Sequence, residues 1–122
     1  LFRSTPTFLE SDRGFVILGT PGGSRIISMV LLATLEWING GDAKSMVSLP
    51  RFHHQYHPDY VLYEEEAFMS SEIDELESMG HIFEKSNRQF GNMQIIMWDQ
   101  VNNKIEIASD PRGKEKGREE VY

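Results

Sequence analysis

The sequence predicts an α+β fold, and three observations carry that reading. Short β-type runs occur in pairs near both ends of the chain, each pair around a turn-rich segment. A long apolar run, Ser24 to Ile38, has helical length and helical spacing. Between the pairs lie two shorter helical stretches bounded by capping residues, glycine and proline.

Taken in order, Thr7 to Leu9 and Phe15 to Leu18 read as strands, with Ser11-Asp12-Arg13-Gly14 as the hairpin turn. The second strand runs into Gly19-Thr20-Pro21-Gly22-Gly23, a turn, and then into the long helix. Ile26, Ile27, Val30, Leu31, Leu35 and Ile38 form an apolar stripe; Met29, Leu32, Ala33 and Trp37 widen it nearly all round. A helix of that kind should be buried on most sides. Asn39-Gly40-Gly41 ends it, and Asp42 caps a short helix that closes before Pro50. Arg51 to Pro58 is the polar centre of the chain. Tyr60 to Tyr63 is a β-type run, and Glu64, Glu65 and Glu66 read as a solvated acidic cluster. Ser70 and Ser71 should cap a third helix, with Ile73, Leu76 and Met79 inward and Gly80 at its end. Ile82 to Glu84 is a short strand. Met93 to Trp98 and Lys104 to Ala108 form a second hairpin.

The chain of 122 residues is long enough for one modest domain. Its fold should occupy residues 1–112, followed by a charged mobile tail over 113–122. A net charge of −7 and the absence of a basic block argue against a nucleic-acid partner. With no cysteine, disulfides, thiolate metal sites and cysteine nucleophiles are excluded. The longest apolar run is interrupted by Glu36 and is too short to span a membrane. The chain opens at Leu1 without a methionine, as a piece of a longer protein would.

Chemistry concentrates in the glycine turn. Gly22 and Gly23 lack a Cβ and stand where a helix begins, so their N–H groups have no intrahelical acceptor. Such groups at the positive end of a helix can hold an anion or a tetrahedral oxyanion. The plain alternative is a tight turn with no ligand. The turn is neither a Gly-x-Gly-x-x-Gly loop nor a Gly-Lys-Ser/Thr loop, so nucleotide binding is poorly supported. His53, His54 and His57 offer imidazoles but no metal-ligand spacing; hydrogen-bonded histidines in a structural loop are the better reading, with no metal expected. Arg51 suits a structural ion pair, with Asp110 as a partner, or a clamp on a substrate carboxylate. A Ser24, His53, Asp59 triad can be drawn on paper, but no nucleophile elbow supports it.

Four blocks carry a resemblance. Thr5-Pro6-Thr7, Gly19-Thr20-Pro21-Gly22-Gly23-Ser24-Arg25-Ile26-Ile27, Pro50-Arg51-Phe52-His53-His54-Gln55 and Ala108-Ser109-Asp110-Pro111-Arg112 occur in this order. Together they resemble the γ-glutamyltransferase (γ-glutamyltranspeptidase) family, over the C-terminal part of its small subunit. The resemblance implies a partial four-layer α-β-β-α sandwich of the N-terminal nucleophile hydrolase type. It implies a precursor that cleaves itself and exposes an N-terminal threonine nucleophile, with that residue's own amine as base. The γ-glutamyl group of glutathione or a related amide would pass to the threonine, then to water or an amine, without a cofactor.

Residue by residue, Gly22 and Gly23 take the oxyanion role in that resemblance. Arg51, His53, His54, Asp110 and Arg112 fall in shared blocks as structural polar residues. No catalytic residue is expected within this chain, because the threonine belongs upstream; Thr5 and Thr7 lie in a different block. Phe2 and Arg3 stand where the family has a serine pair that holds the substrate carboxylate, which puts that pocket in doubt. The expected partners are the large subunit and the upstream small-subunit segment, with a γ-glutamyl substrate; an isolated copy should need a partner chain, self-associate or be poorly stable. The compartment implied is the periplasm or the cell surface. The alternative is a non-catalytic remnant or binding module with the same half-fold.

Overall fold

The structure, a computed structural model, describes residues 6–113. The expected tail, apart from Gly113, and the Leu1-Phe2-Arg3-Ser4 departure lie outside the described residues. The elements are β1 (Thr7–Ser11), β2 (Gly14–Gly19), a 3₁₀ turn (Gly23–Arg25), α1 (Ile26–Ile38), α2 (Ala43–Ser48), β3 (Phe52–His53), β4 (Val61–Tyr63), α3 (Ser70–Ser78), β5 (Phe83–Lys85), β6 (Gln94–Asp99) and β7 (Lys104–Ser109). β1, β2, β6 and β7 form a four-stranded sheet in that order, antiparallel throughout. A second sheet has the order β3-β4-β5, with β4 and β5 parallel.

Alternation along the strands decides which face is covered. Val16 and Leu18 of β2, Ile95 and Met97 of β6 and Ala108 of β7 point to one face and are buried. They meet Met29, Ala33 and Trp37 of α1 and Ala43, Met46 and Val47 of α2 in one core with Phe90 and Met93. The opposite face of the same sheet is also apolar. Phe8, Ile17, Ile96 and Ile107 lie in register across all four strands; Phe15, Trp98 and Ile105 form the next row. Phe15 and Trp98 are stacked, 6.1 Å between centroids.

The long helix is less buried than its composition predicts. Met29, Ala33 and Trp37 face the core, while Ile27, Leu31, Leu35 and Ile38 are exposed. Helical spacing accounts for the second set: it forms one ridge along the side away from the sheet. Arg13, in the β1–β2 turn, donates to the carbonyls of Trp37 and Gly41, the latter at 3.1 Å. Its guanidinium also lies 5.7 Å from the centre of the Trp37 ring. A cation there adds to the Gly40 N–H on the Trp37 carbonyl and sits favourably at the negative end of the helix.

α2 is fixed by its first turn. The Asp42 carboxylate accepts the Ser45 N–H at 2.7 Å, and Glu106 of β7 accepts the Ala43 N–H at 3.1 Å. Replacing Asp42 by alanine should therefore lower stability by about 1 kcal/mol, the usual value of an N-cap. Denaturant unfolding of the full-length protein checks it.

Three local expectations are corrected. The cap of α3 is Met69, whose N–H donates to the Glu72 carboxylate at 2.7 Å; Ser70 already lies inside the helix. Met79 is exposed, and Ile73 and Leu76 are only half-buried. The strand expected at 82–84 is shifted by one residue, because Ile82 gives its carbonyl to Val61 before the paired segment begins. The two-residue strand β3 is too short to leave a periodic signal. Around this smaller sheet, Phe52, Tyr63, Phe68 and Phe83 form an aromatic cluster with tilted and edge-on contacts.

Candidate active site

The glycine turn lies where β2 leaves the large sheet and α1 begins. Thr20 is fully buried; its hydroxyl donates to the Pro21 carbonyl at 3.0 Å and accepts the Asn92 N–H at 3.1 Å. Gly22 has φ 152° and Gly23 φ 60°, both glycine-favouring, and the Arg25 N–H closes the turn on the Gly22 carbonyl at 3.2 Å. Among the described residues, no hydrogen bond uses the Gly22 or Gly23 N–H. A Cβ on Gly22 would stand 2.5 Å from Met29 Cε, whereas one on Gly23 would meet nothing within 4 Å. The turn is thus packed from below at Gly22 and open above Gly23.

Beneath Met29 lies Arg51, fully buried. Its Nη1 reaches the Asp110 carboxylate at 2.6 Å, the Phe90 carbonyl and the Met29 sulfur at 3.9 Å; Nη2 donates to the Val47 carbonyl at 3.1 Å. Asp110, equally buried, also accepts the N–H of Met93 at 2.9 Å and of Arg112 at 3.0 Å. Burial pushes the Asp110 carboxyl up, but those two N–H groups and the Arg51 guanidinium outweigh it and hold it below the usual range. Burial also draws Arg51 below its ordinary value, with Asp110 opposing. Arg112 completes the network through two bonds to Glu64, each 2.6 Å, and one to Asp110. Burial works against its charge too, and the carboxylates of Glu64 and Asp110 raise it.

Glu64 is therefore not part of a solvated acidic cluster. It grips Arg112 with both oxygens and accepts the Arg51 N–H at 2.8 Å. Its place in a run of three glutamates concealed that role. Thr20, Phe90 and Gly91 were also missed as supports of the turn. A Cβ on Gly91 would lie 2.5 Å from the Thr20 hydroxyl and 2.6 Å from the Met29 sulfur, so the Gly91-Asn92 pair was the signal available.

The histidines separate. His53, buried, bridges the Ser28 hydroxyl at 2.7 Å and the Gln55 side-chain oxygen at 2.9 Å. His54 pairs with Asp59 at 2.7 Å on the surface. Ser28 occupies the first turn of α1, so His53 ties that turn to the loop after β3. Among the described residues, no group of three or more histidines, aspartates or glutamates could hold a metal ion. The triad drawn on Ser24 and Asp59 is not assembled, since His53 is engaged by Ser28 and Gln55.

The family model described as gamma-glutamyltranspeptidase matches residues 3–119. The chain belongs to the γ-glutamyltranspeptidase family. Its curated relatives include the glutathione hydrolase proenzymes of Pseudomonas aeruginosa, 32% identical over 96% of this chain, and of Escherichia coli, 34% identical over 92%. The γ-glutamyltranspeptidase of Pseudomonas nitroreducens, solved in complex with L-DON, superposes with a TM-score of 0.80 at 31% identity, over 97% of this chain and 62% of that one. The chain spans about a fifth of the length of these proenzymes, 21% and 19%. The mixed α+β structure with two sheets is similar to the γ-glutamyltranspeptidase structures.

Proposed function

We propose that this chain provides the oxyanion turn of a γ-glutamyltransferase or glutathione hydrolase. In this reading the nucleophilic threonine and the large subunit come from the rest of a self-cleaving precursor. The threonine oxygen attacks the γ-glutamyl carbonyl, and charge develops on the carbonyl oxygen. The Gly22 and Gly23 N–H groups donate hydrogen bonds to that oxygen, aided by the positive end of α1. The observation that carries the reading is the turn itself: two glycine N–H groups without acceptors among the described residues, held from below by Met29. Arg51, Asp110, Arg112 and Glu64 hold the floor on which Met29 and Phe90 rest. His53 and the exposed His54 have structural roles, and no cofactor takes part.

The apolar outer face of the four-stranded sheet supports the four-layer arrangement. Phe8, Ile17, Ile96 and Ile107 in one row, with Phe15, Trp98 and Ile105 in the next, offer a surface on which a second sheet stacks. The exposed α1 ridge offers a second surface to the same precursor, and either surface would drive self-association of an isolated copy. The family's compartment, periplasm or cell surface, goes with this reading.

The test is expression of the complete reading frame that contains this chain. Self-cleavage into two subunits and release of glutamate from a γ-glutamyl amide are expected. Cleavage or turnover absent from a folded product would favour the second reading, a non-catalytic binding module, which the Phe2-Arg3 departure from the family's serine pair favours.

A further inference from the structure

We propose that Ser28 and His53 are positioning residues for the oxyanion turn: the hydrogen bond between them fixes the first turn of α1 and, with it, the direction of the Gly22 and Gly23 N–H groups. This rests on the oxyanion reading above and extends it to two side chains outside the turn.

The glycine turn is lightly tied by its own backbone. The Arg25 N–H meets the Gly22 carbonyl at 3.2 Å, and no side chain caps the start of the 3₁₀ turn or of α1. What α1 rests against therefore sets the direction of the turn. Ser28 and Met29 are neighbours in the first turn of α1, and successive side chains on a helix diverge by about 100°. Facing them are Arg51 and His53, two residues apart at β3, both buried and on one side by strand alternation. The pairs meet: Arg51 Nη1 lies 3.9 Å from the Met29 sulfur, and His53 Nδ1 lies 2.7 Å from the Ser28 hydroxyl. Of the two contacts, the second has the length and direction of a strong hydrogen bond.

The neighbouring groups decide which atom donates. Gln55 donates its side-chain N–H to the His57 carbonyl at 2.6 Å, which turns its oxygen to His53 Nε2 at 2.9 Å. An amide oxygen only accepts, so Nε2 carries the proton. In the neutral ring Nδ1 is then an acceptor, and the Ser28 hydroxyl donates to it. A helical serine otherwise turns its hydroxyl back on the carbonyl four residues earlier, which bends the helix. For Ser28 that carbonyl belongs to Ser24, the residue after Gly23. His53 draws the hydroxyl away from it. The ring is itself held by Gln55 and, through its backbone, by pairing with Leu62 of β4. The first turn of α1 is thus keyed to the smaller sheet through Ser28 and to the buried Arg51 through Met29.

Loss of the Ser28 bond leaves the second of these supports in place, so the turn reorients rather than unfolds. A misplacement of about 1 Å can cost about 10²-fold in rate; a loosened turn that still samples the right orientation should cost about tenfold.

The test uses the processed, full-length enzyme, with active sites counted by covalent labelling of the threonine. Ser28→Ala should lower kcat for γ-glutamyl release about tenfold and change KM for the γ-glutamyl donor less than about twofold, the pattern of an interaction expressed in the transition state. A boronic acid analogue of the γ-glutamyl group, tetrahedral once bound to the threonine, should weaken by the same factor, while glutamate binds as before. At His53, two replacements separate its two bonds. Asparagine carries an oxygen near the Nδ1 position and can accept from Ser28; glutamine carries an amide N–H near the Nε2 position and keeps only the bond to Gln55. His53→Asn should retain most of kcat, and His53→Gln should fall with Ser28→Ala. Ser28→Thr, which keeps the hydroxyl, should stay near the wild type. Ser28→Ala combined with His53→Gln should cost no more than the larger single loss. Unchanged kcat per labelled site in Ser28→Ala, or His53→Gln outperforming His53→Asn, overturns the positioning role. Should a His53 variant fail to fold, Ser28→Ala alone decides. The oxyanion reading is tested separately by Gly22→Val: a lost rate there beside an unchanged Ser28→Ala overturns only the positioning role, and wild-type rates in folded Gly22→Val overturn both.

Discussion

Gly22→Val in the complete precursor should cut acyl transfer by about 10²–10³-fold, the usual loss when an oxyanion donor is removed. The expectation follows from the turn's geometry. Gly22 holds φ 152°, a conformation that valine resists, and any Cβ there meets Met29 Cε at 2.5 Å. Either Met29 moves or the turn rotates, and both redirect the N–H groups. Met29 rests on Arg51, which is locked to Asp110, so displacement of Met29 is opposed from below. Rotation of the turn is the easier response, and the proposed oxyanion donors are what it would misalign. Gly23→Ala is the informative companion. Its φ of 60° costs an alanine about 1–2 kcal/mol, yet no atom lies within 4 Å of the added carbon. That variant should fold and mature, and lose less activity than the valine at Gly22. Rates of γ-glutamyl release, measured beside thermal melting, separate lost chemistry from lost fold. Wild-type rates in folded Gly22→Val would remove the oxyanion role from this turn.

How much of this was legible in the sequence depends on the kind of signal each element leaves. Both large-sheet hairpins could be read because Phe15 to Leu18 and Met93 to Trp98 combine β-type residues with turn residues on either side. The end of α1 and the cap of α2 could be read because Asn39-Gly40-Gly41-Asp42 is local chemistry, complete within a few residues. Burial of α1 could not. Ile27, Leu31, Leu35 and Ile38 are as apolar as Met29, Ala33 and Trp37, and composition does not say which ridge faces the sheet. The oxyanion reading of Gly22 and Gly23 rests on the motif around them, since two glycines after a proline also describe an empty turn. Glu64 was concealed by its acidic neighbours: only the fold brings Arg112, 48 residues away, onto its oxygens. Phe90 and Gly91 were missed for the same reason, because their role exists only through Met29 and Thr20 across the chain.

Asp110→Asn should destabilise the protein by about 3–5 kcal/mol, the loss expected when one partner of a buried ion pair is removed. The asparagine keeps the shape and can still accept from the Met93 N–H, but Arg51 is left as a buried charge without its counter-ion. Arg51 already has its Nε buried and without a hydrogen-bond partner among the described residues. Little within reach can therefore replace the carboxylate. The cost should extend to maturation of the precursor, since the pair supports Met29 and Phe90 and, through them, the turn. The pH dependence gives a second, independent sign. The folded-state pKa of Asp110 lies below its unfolded value, so its ionised form adds stability that is fully present above the unfolded value of about 3.9 and is lost as pH falls through the folded one. Wild-type stability should therefore drop on acidification below about pH 4, and Asp110→Asn should lack that part of the drop. Arg51→Met tests the same pair from the other side: the Asp110 carboxylate keeps Arg112 and the two N–H groups but loses the Arg51 guanidinium, so its pKa should rise. Denaturant midpoints across the acid range, for the two variants and for Arg51→Met with Asp110→Asn combined, close the cycle. A double variant no less stable than either single one is the result expected of a coupled pair. Losses that simply add would mean that Arg51 and Asp110 act separately, and that the floor beneath the turn is held by packing alone.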